Sequence, residues 1–246
     1  MDLSVRRNPP SLLHALALGM AALLISAALG ATAYAGVATT GSVLQAAKTA
    51  IAKQSGAHVV FIASSNSSSS TEKIVADVGT TGGVETVFVG KAELTVKVTP
   101  SYGYVSGNST GLTTIFGLSS ANAKKVGTHW VSWKAGTSQY TSLKSNLTIS
   151  SVSGLLPKAK GTRLSTGVTN GSKLYVLKWT SAATSSTPKL SNTLTVSAGA
   201  TTLPVEETAT DSSGTKVTTM LSKWGERVLV TAPPIASTIA SSKITG

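Results

Sequence analysis

An antiparallel β-hairpin is predicted by the stretch VETVFVGKAELTVKVT, which runs from Val84 to Thr99. Apolar and polar residues alternate strictly in its second half, where the apolar ones are Ala92, Leu94, Val96 and Val98. A period of two places these four side chains on one face of a strand and leaves the other face wet. Gly90-Lys91 supplies a turn between the two strands. The hairpin therefore predicts an antiparallel sheet with one apolar face.

Further strands are predicted on both sides of this hairpin. HVVFIAS at His58–Ser64 is rich in β-branched and aromatic residues, and YGYV at Tyr102–Val105 and HWVSW at His129–Trp133 follow the hairpin. Asn170-Gly171 is a good turn sequence in the last third of the chain. The strands predicted there are Gly161–Val168, Lys173–Ser181, Thr193–Ala198, Pro204–Thr210, Lys216–Leu221 and Arg227–Thr231.

Helical periodicity interrupts these strands in four places. Val43 to Ile51 forms an amphipathic pattern that ends before Gly56, and a short helix is predicted from about Thr110 to Lys125. Two more helices carry Tyr140, Leu143 and Leu147, and then Val152, Leu155 and Leu156. The order of helix, strands, helices and strands favours an α+β domain. Because the strands outnumber what one flat sheet easily holds, we predict a strongly curved antiparallel β half-barrel with helices on its concave side.

The N-terminal segment indicates export. Arg6 and Arg7 precede an apolar run from Leu12 to Gly30, and Ala33-Tyr34-Ala35 follows it, which is typical of a secretory signal peptide. The run also approaches the roughly 20 residues that span a bilayer, so an uncleaved signal anchor is the alternative. We predict a signal peptide or anchor at 1–35, the folded domain at 36–234, a mobile tail at 235–246, and a secreted or cell-envelope location.

Composition excludes several classes of site. The chain has no cysteine, so disulfides, thiolate metal sites and cysteine nucleophiles are impossible. Its net charge is +12, and beyond the signal the only arginines are Arg163 and Arg227. Dispersed lysines on an exported protein argue against a nucleic-acid partner. They form a soluble cationic surface, or one that attracts an anionic membrane surface or envelope polymer.

One motif suggests a catalytic serine, but the histidine and the acid of a triad do not follow it in the required order. Gly107 to Gly111 spells G-x-S-x-G between a predicted strand and a predicted helix, which is the context of a nucleophile elbow. Beyond Ser109, however, the histidine His129 precedes the aspartate Asp211, which is the wrong order for a triad of this fold. The remaining histidines and carboxylates show no metal-ligand spacing. We therefore expect no enzyme, no metal and no cofactor.

The order of segments resembles the LolA-like superfamily, specifically the actinobacterial LppX–LprG lipoprotein group. The resemblance is carried by the opening helix with AHVVFIAS, by the block Val126–Pro157 and by the closing run Thr193–Pro234. Within the closing run, Leu203-Pro204-Val205 and Leu221-Ser222-Lys223-Trp224-Gly225 precede the final Pro-Pro. Lipoproteins of this group carry a lipobox cysteine after the signal, whereas this chain has no cysteine at all.

The resemblance implies a half-barrel closed by helices around a hydrophobic cavity that carries acylated lipids or lipoproteins, with no catalytic residues. We therefore expect non-enzymatic binding and transport of an acylated lipid or glycolipid by a monomer, with lysines attracting an anionic headgroup. The alternative is an envelope structural or sensor module with a collapsed core and a protein or anionic polymer partner. The expected cavity lining is Leu94, Val96 and Val98 from the sheet and Ile115, Phe116, Leu143, Leu147, Leu155 and Leu156 from the helices.

Overall fold

The structure is a computed structural model, and it describes residues 38–65, 68–184 and 188–244. The predicted signal peptide or signal anchor at 1–35 lies outside the described residues. Four α-helices and one π-helix lie among the strands of the described chain. The α-helices are α1 (Thr40–Ala52), α2 (Ser120–Val126), α3 (Ser138–Asn146) and α4 (Ile149–Val152), and the π-helix is Gly111–Ile115.

One sheet contains the twelve strands of the described residues. The strands are β1 (Gly56–Ser65), β2 (Ser68–Gly79), β3 (Gly83–Val89), β4 (Ala92–Val98), β5 (Tyr102–Gly107), β6 (Trp130–Lys134), β7 (Arg163–Thr169), β8 (Ser172–Ser181), β9 (Leu190–Ser197), β10 (Pro204–Asp211), β11 (Lys216–Ser222) and β12 (Thr238–Ala240). Their order across the sheet is β12-β6-β5-β4-β3-β2-β1-β11-β10-β9-β8-β7. The sheet thus consists of two meanders, β1–β6 and β7–β11, which are joined where β1 pairs antiparallel with β11.

The sheet is curved and does not close, and its pairs are antiparallel except for β12 against β6. This confirms the predicted α+β half-barrel. The turn at Gly90-Lys91 lies where the sequence places it, since β3 ends at Val89 and β4 begins at Ala92. Gly90 has a φ of 58°, a left-handed conformation that suits glycine.

Strand pairing defines an inner face of the sheet, which is the face that bears Val96. Across the first meander, one row of paired inner-face residues reads Val131, Val105, Val96, Glu85, Ala76 and Val59. A second row runs across both meanders through Leu94, Val87, Ile74, Phe61, Thr219, Glu207, Leu194 and Leu177. Because side chains alternate along a strand, the neighbours of these residues in sequence lie on the outer face.

Helices cover both flanks of the inner face. Val43, Leu44 and Ala47 of α1 pack in one cluster with the β8 and β9 residues Leu177, Leu194 and Val196. The π-helix and α2–α4 pack on β4, β5 and β6 in a larger cluster, through Leu112, Ala123, Val126, Tyr140, Leu147, Ile149 and Val152. Helix α1 also contacts α4 and contributes the buried Ile51 to this larger cluster. Each flank therefore has a buried two-layer core.

Two predicted elements differ in the structure. The helix predicted from Thr110 to Lys125 is divided into the π-helix and α2, and Gly117 between them has a φ of 82°, which a helix cannot continue through. The strand predicted at Arg227–Thr231 is wrong, because these residues form no strand. Lys223 and Gly225 both have positive φ values, and they turn the chain out of the sheet directly after β11.

Residues 235–246 were predicted to form a mobile tail, and in the structure Thr238–Ala240 of this segment extend the sheet as β12. β12 pairs parallel with β6, and Ile244 is only 2% exposed within the larger core cluster. The composition of small residues concealed this strand. The folded domain therefore extends to Ile244 over the described residues.

Ile244 is buried and Ile235 is exposed, so substitutions of the two residues test whether this segment packs on the sheet. Ile244→Ala is expected to lower the free energy of unfolding by about 2–4 kcal/mol, because it removes a buried side chain from the core. Ile235→Ala in the same segment is the control, since Ile235 is 93% exposed and its loss should cost less than about 0.5 kcal/mol. Urea denaturation of both variants measures the difference, and equal stabilities would show that the segment does not pack on the sheet.

Candidate functional site

The nine side chains predicted to line a cavity come together in one hydrophobic cluster. Leu94, Val96, Val98, Leu147 and Leu155 are buried members of this cluster, at 0–5% exposure. The other four, Ile115, Phe116, Leu143 and Leu156, are partly buried and pack against it. The sheet and helix residues thus meet, as a shared site requires. Their role in lining a cavity stays a prediction.

A second set of inner-face residues lies between the two helix-covered flanks. We call it the central strip, and it consists of Val59 and Phe61 on β1, Ile74 on β2, and Glu85 and Val89 on β3. These side chains are only half-buried, whereas the flank residues Leu94 and Leu194 are 3% and 0% exposed. The central strip is therefore less covered than the flanks, although Val59, Ile74 and Val89 still pack against the larger core cluster.

Glu85 is the polar member of the central strip. It pairs with Ala76 on one side and Val96 on the other, and both are in the buried core. The described residues give its carboxyl neither a hydrogen bond nor a salt bridge, and burial alone raises its pKa from 4.5 to about 7. The carboxyl is enclosed by protein, yet the side chain keeps accessible surface. Glu85 is therefore a half-buried carboxyl without a partner in the described part of the chain, among apolar neighbours on the inner face.

Glu207 is a second inner-face glutamate, on β10 between Thr219 and Leu194. Burial raises its pKa to about 7 as well, and no other group contributes to the shift. Neither glutamate was predicted from the sequence to belong to the site. Alternation within VETVFV places Glu85 on the same face as Val87 and Val89, and this was the available signal.

A separate cleft of about 190 Å³ lies at the end of β1 and β2, under the segment that follows β11. Its lining is largely charged, and it contains His58, Asp77, Lys223, Glu226 and Arg227 together with Ala57, Val84, Val228 and Leu229. His58 Nδ1 lies 2.7 Å from Asp77 Oδ1, and both side chains are substantially exposed. The cleft is smaller than the roughly 300–1,000 Å³ of typical small-molecule pockets, and it shares no residue with the predicted lining.

Asn108 of the G-x-S-x-G segment has a structural role, because its side chain holds the local backbone by hydrogen bonds. Asn108 Oδ1 accepts hydrogen bonds from the backbone N–H of Gly111 at 2.7 Å and of Glu93 at 3.3 Å. The Asn108 amide donates to the Lys91 carbonyl at 2.8 Å. These contacts hold the connection between β5 and the π-helix against β4. His129 Nδ1 lies 3.1 Å from the Val126 carbonyl oxygen.

The described residues contain neither a metal-binding cluster nor a helix that could span a membrane. Within residues 38–65, 68–184 and 188–244, no three histidine, aspartate or glutamate side chains gather where a metal ion could be held. No helix in the described part of the chain is both long enough and apolar enough to cross a bilayer.

Comparison with known proteins finds likeness in structure alone. No family model and no curated protein matches the sequence. The structure is similar to LprF from Mycobacterium bovis, with a TM-score of 0.52 and 15% identity over 79% of this chain and 96% of that one. The lipoprotein LppX of Mycobacterium tuberculosis gives a TM-score of 0.47 and 14% identity over 78% and 98% of the two chains. The likeness to LprF confirms the predicted fold, a curved antiparallel half-barrel with helices.

Proposed function

We propose that the protein binds an acylated lipid between its helices and the inner face of its sheet, and carries it within the cell envelope without catalysing a reaction. The observation that supports this most directly is the central strip, a band of half-buried apolar side chains between two helix-covered flanks. Each methylene group moved from water into such a band contributes roughly 0.8 kcal/mol. An acyl chain lying along Val59, Phe61 and Ile74 would gain this contribution over much of its length.

The charge of the exterior suits movement between envelope surfaces. The chain carries a net charge of +12, and lysines such as Lys73 and Lys216 lie on the outer face of the sheet. A smooth positive field attracts the protein to anionic membranes or polymers without fixing it to one site. We expect a monomer that is secreted or held by its apolar N-terminal segment.

A structural or sensor module of the same fold is the second candidate. It is favoured by the dense packing around the predicted lining, where Val98 and Leu147 are 0% exposed. In that case the central strip is a shallow groove, and the partner is a protein or an anionic polymer. The two functions differ in whether the inner face takes up lipid.

Organic extraction and mass spectrometry of the chain, purified from its native envelope without detergent, distinguish them. A stoichiometric acylated species supports the carrier and identifies its cargo. A protein that is empty and also fails to take up a fluorescent diacylglycerol contradicts the carrier and leaves the structural or sensor module.

Filling the central strip should block uptake of lipid. Ile74→Trp adds a bulky ring on the inner face and is expected to weaken binding of a fluorescent diacylglycerol by roughly tenfold or more. Val75→Trp is the matched control, because Val75 is the next residue of β2 and lies on the outer face. Fluorescence titration measures both affinities, and thermal melting confirms that both variants are folded. Equal loss of binding in the two variants would contradict a site on the inner face.

A further inference from the structure

The inner face of the sheet carries more acidic than basic side chains, although the protein as a whole is strongly basic. Four of the nine acidic residues of the chain, Glu72, Glu85, Glu207 and Asp211, lie on this face by strand alternation. Among the described strands, the inner-face positions of β1–β7 and β9–β11 contain no lysine or arginine, whereas Lys173 of β8 lies on this face. A strongly basic protein thus encloses an acidic interior.

Of these residues, Glu85 alone belongs to the central strip, whereas Asp211 accepts hydrogen bonds from Ser213 and Thr215 in the turn after β10. Glu72 is 2% exposed and is engaged in an interaction of its own. Glu207 lies beside Leu194, on the flank that α1 covers. Glu85 instead is half-buried, and it is separated from Glu207 by four strand spacings, or roughly 19 Å along the sheet.

No cation of the described residues faces Glu85 from the elements around it. The π-helix and α4 contain no titratable residue, and the lysines of α1 and α2 are exposed. Lys97 on the neighbouring strand points to the outer face, where its ammonium lies 4.9 Å from the centre of the Trp130 ring. Lys144 of α3 lies over the ring of Tyr140, at 5.8 Å from its centre.

We propose that the amphiphile bound by the half-barrel carries a cationic amine headgroup, and that this amine binds the Glu85 carboxylate with its apolar chain along the central strip. This assignment rests on the proposed lipid-binding function and names the ligand class. An enclosed carboxylate without a partner is costly to ionise, and an ammonium group supplies the missing charge and hydrogen bonds. A carboxylate or phosphate headgroup would instead meet like charge in a poorly solvated space.

The test compares three amphiphiles of equal chain length that differ only in headgroup: decylamine, decanol and decanoate. Each is titrated against the full-length protein loaded with a neutral fluorescent diacylglycerol, at about pH 8, where the inner carboxyl is ionised. We expect decylamine to displace the probe at least about tenfold better than decanol, with decanoate the weakest. In Glu85→Gln the advantage of decylamine should disappear while displacement by decanol is retained.

Glu93→Gln is the control, because Glu93 is an exposed glutamate on the outer face of the adjacent strand β4. This variant should keep the preference for decylamine. If decanol and decylamine compete equally in the native protein, the amine assignment is overturned while the lipid site stands. If Glu207→Gln rather than Glu85→Gln removes the preference, the assignment to Glu85 is overturned. If the probe itself does not bind, both the lipid site and the amine assignment fail.

Discussion

Replacing Gly111 by alanine is expected to lower the free energy of unfolding by about 3 kcal/mol, the upper range for overpacking of a core. A Cβ atom at this position would lie 2.0 Å from the carbonyl oxygen of Glu93 and 2.6 Å from its carbonyl carbon. Both atoms belong to the backbone of β4, so no side chain can rotate away to make room. The π-helix would have to move off the sheet, together with the fully buried Leu112.

Gly41→Ala is the matched control for this substitution. Gly41 lies in α1, and nothing lies within 4 Å of a Cβ placed on it. Because alanine is the better helix former, this variant should be stabilised by up to about 1 kcal/mol. Urea denaturation of both variants gives the two values. A Gly111→Ala protein as stable as the native one would show that the π-helix does not press on β4 at this point.

The strands that sequence analysis found are those with uninterrupted alternation. AELTVKVT predicted β4 with its inner face, and VETVFV predicted β3. β2 was missed because it begins with serines and carries Glu72 at an inner position, although Ile74, Ala76 and Val78 continue the period of two. β12 was missed because three residues of a small-residue segment carry no periodicity. Its position depends on pairing with β6, a contact between residues distant in sequence.

The apolar residues of the candidate site could be predicted from the sequence, whereas its polar member, Glu85, was not predicted. Leu94, Val96 and Val98 follow directly from alternation, and the apolar residues of the helices had no other surface to cover. Which of these side chains leave open space depends on how far the two helix groups approach each other, and this is a property of packing. Glu85 resembles a surface residue in isolation, whereas alternation places it on the face of Val87 and Val89, and strand pairing with Ala76 and Val96 places that face inside.

A rise from about pH 5 to about pH 8 is expected to destabilise the protein through Glu85 and Glu207. The pKa of each carboxyl is about 7 in the folded state and 4.5 when it is unperturbed. Below pH 4.5 each carboxyl is protonated in the folded and in the unfolded protein alike, so neither carboxyl makes stability depend on pH. Between these two pKa values the unfolded chain ionises while the folded protein stays protonated, so stability falls as the pH rises. The loss is on the order of 2–3 kcal/mol for each group and is complete above about pH 7.

The variant Glu85→Gln isolates one of the two contributions. Its amide carries no charge at any pH, so its free energy of unfolding should exceed that of the native protein at about pH 8 by on the order of 2 kcal/mol and approach it near pH 5. Asp211 affects the pH dependence in the opposite direction: burial raises its pKa, but hydrogen bonds from Ser213 and Thr215 together lower it, so its stabilisation is lost only at more acidic pH. Urea denaturation across this range, with Glu93→Gln as the exposed control, measures the slope. A Glu85→Gln protein whose pH dependence matches that of the control would mean that the Glu85 carboxyl is hydrated in the folded state. In that case the interior beside it is open to bulk water, and the central strip is a groove rather than an enclosed lipid site.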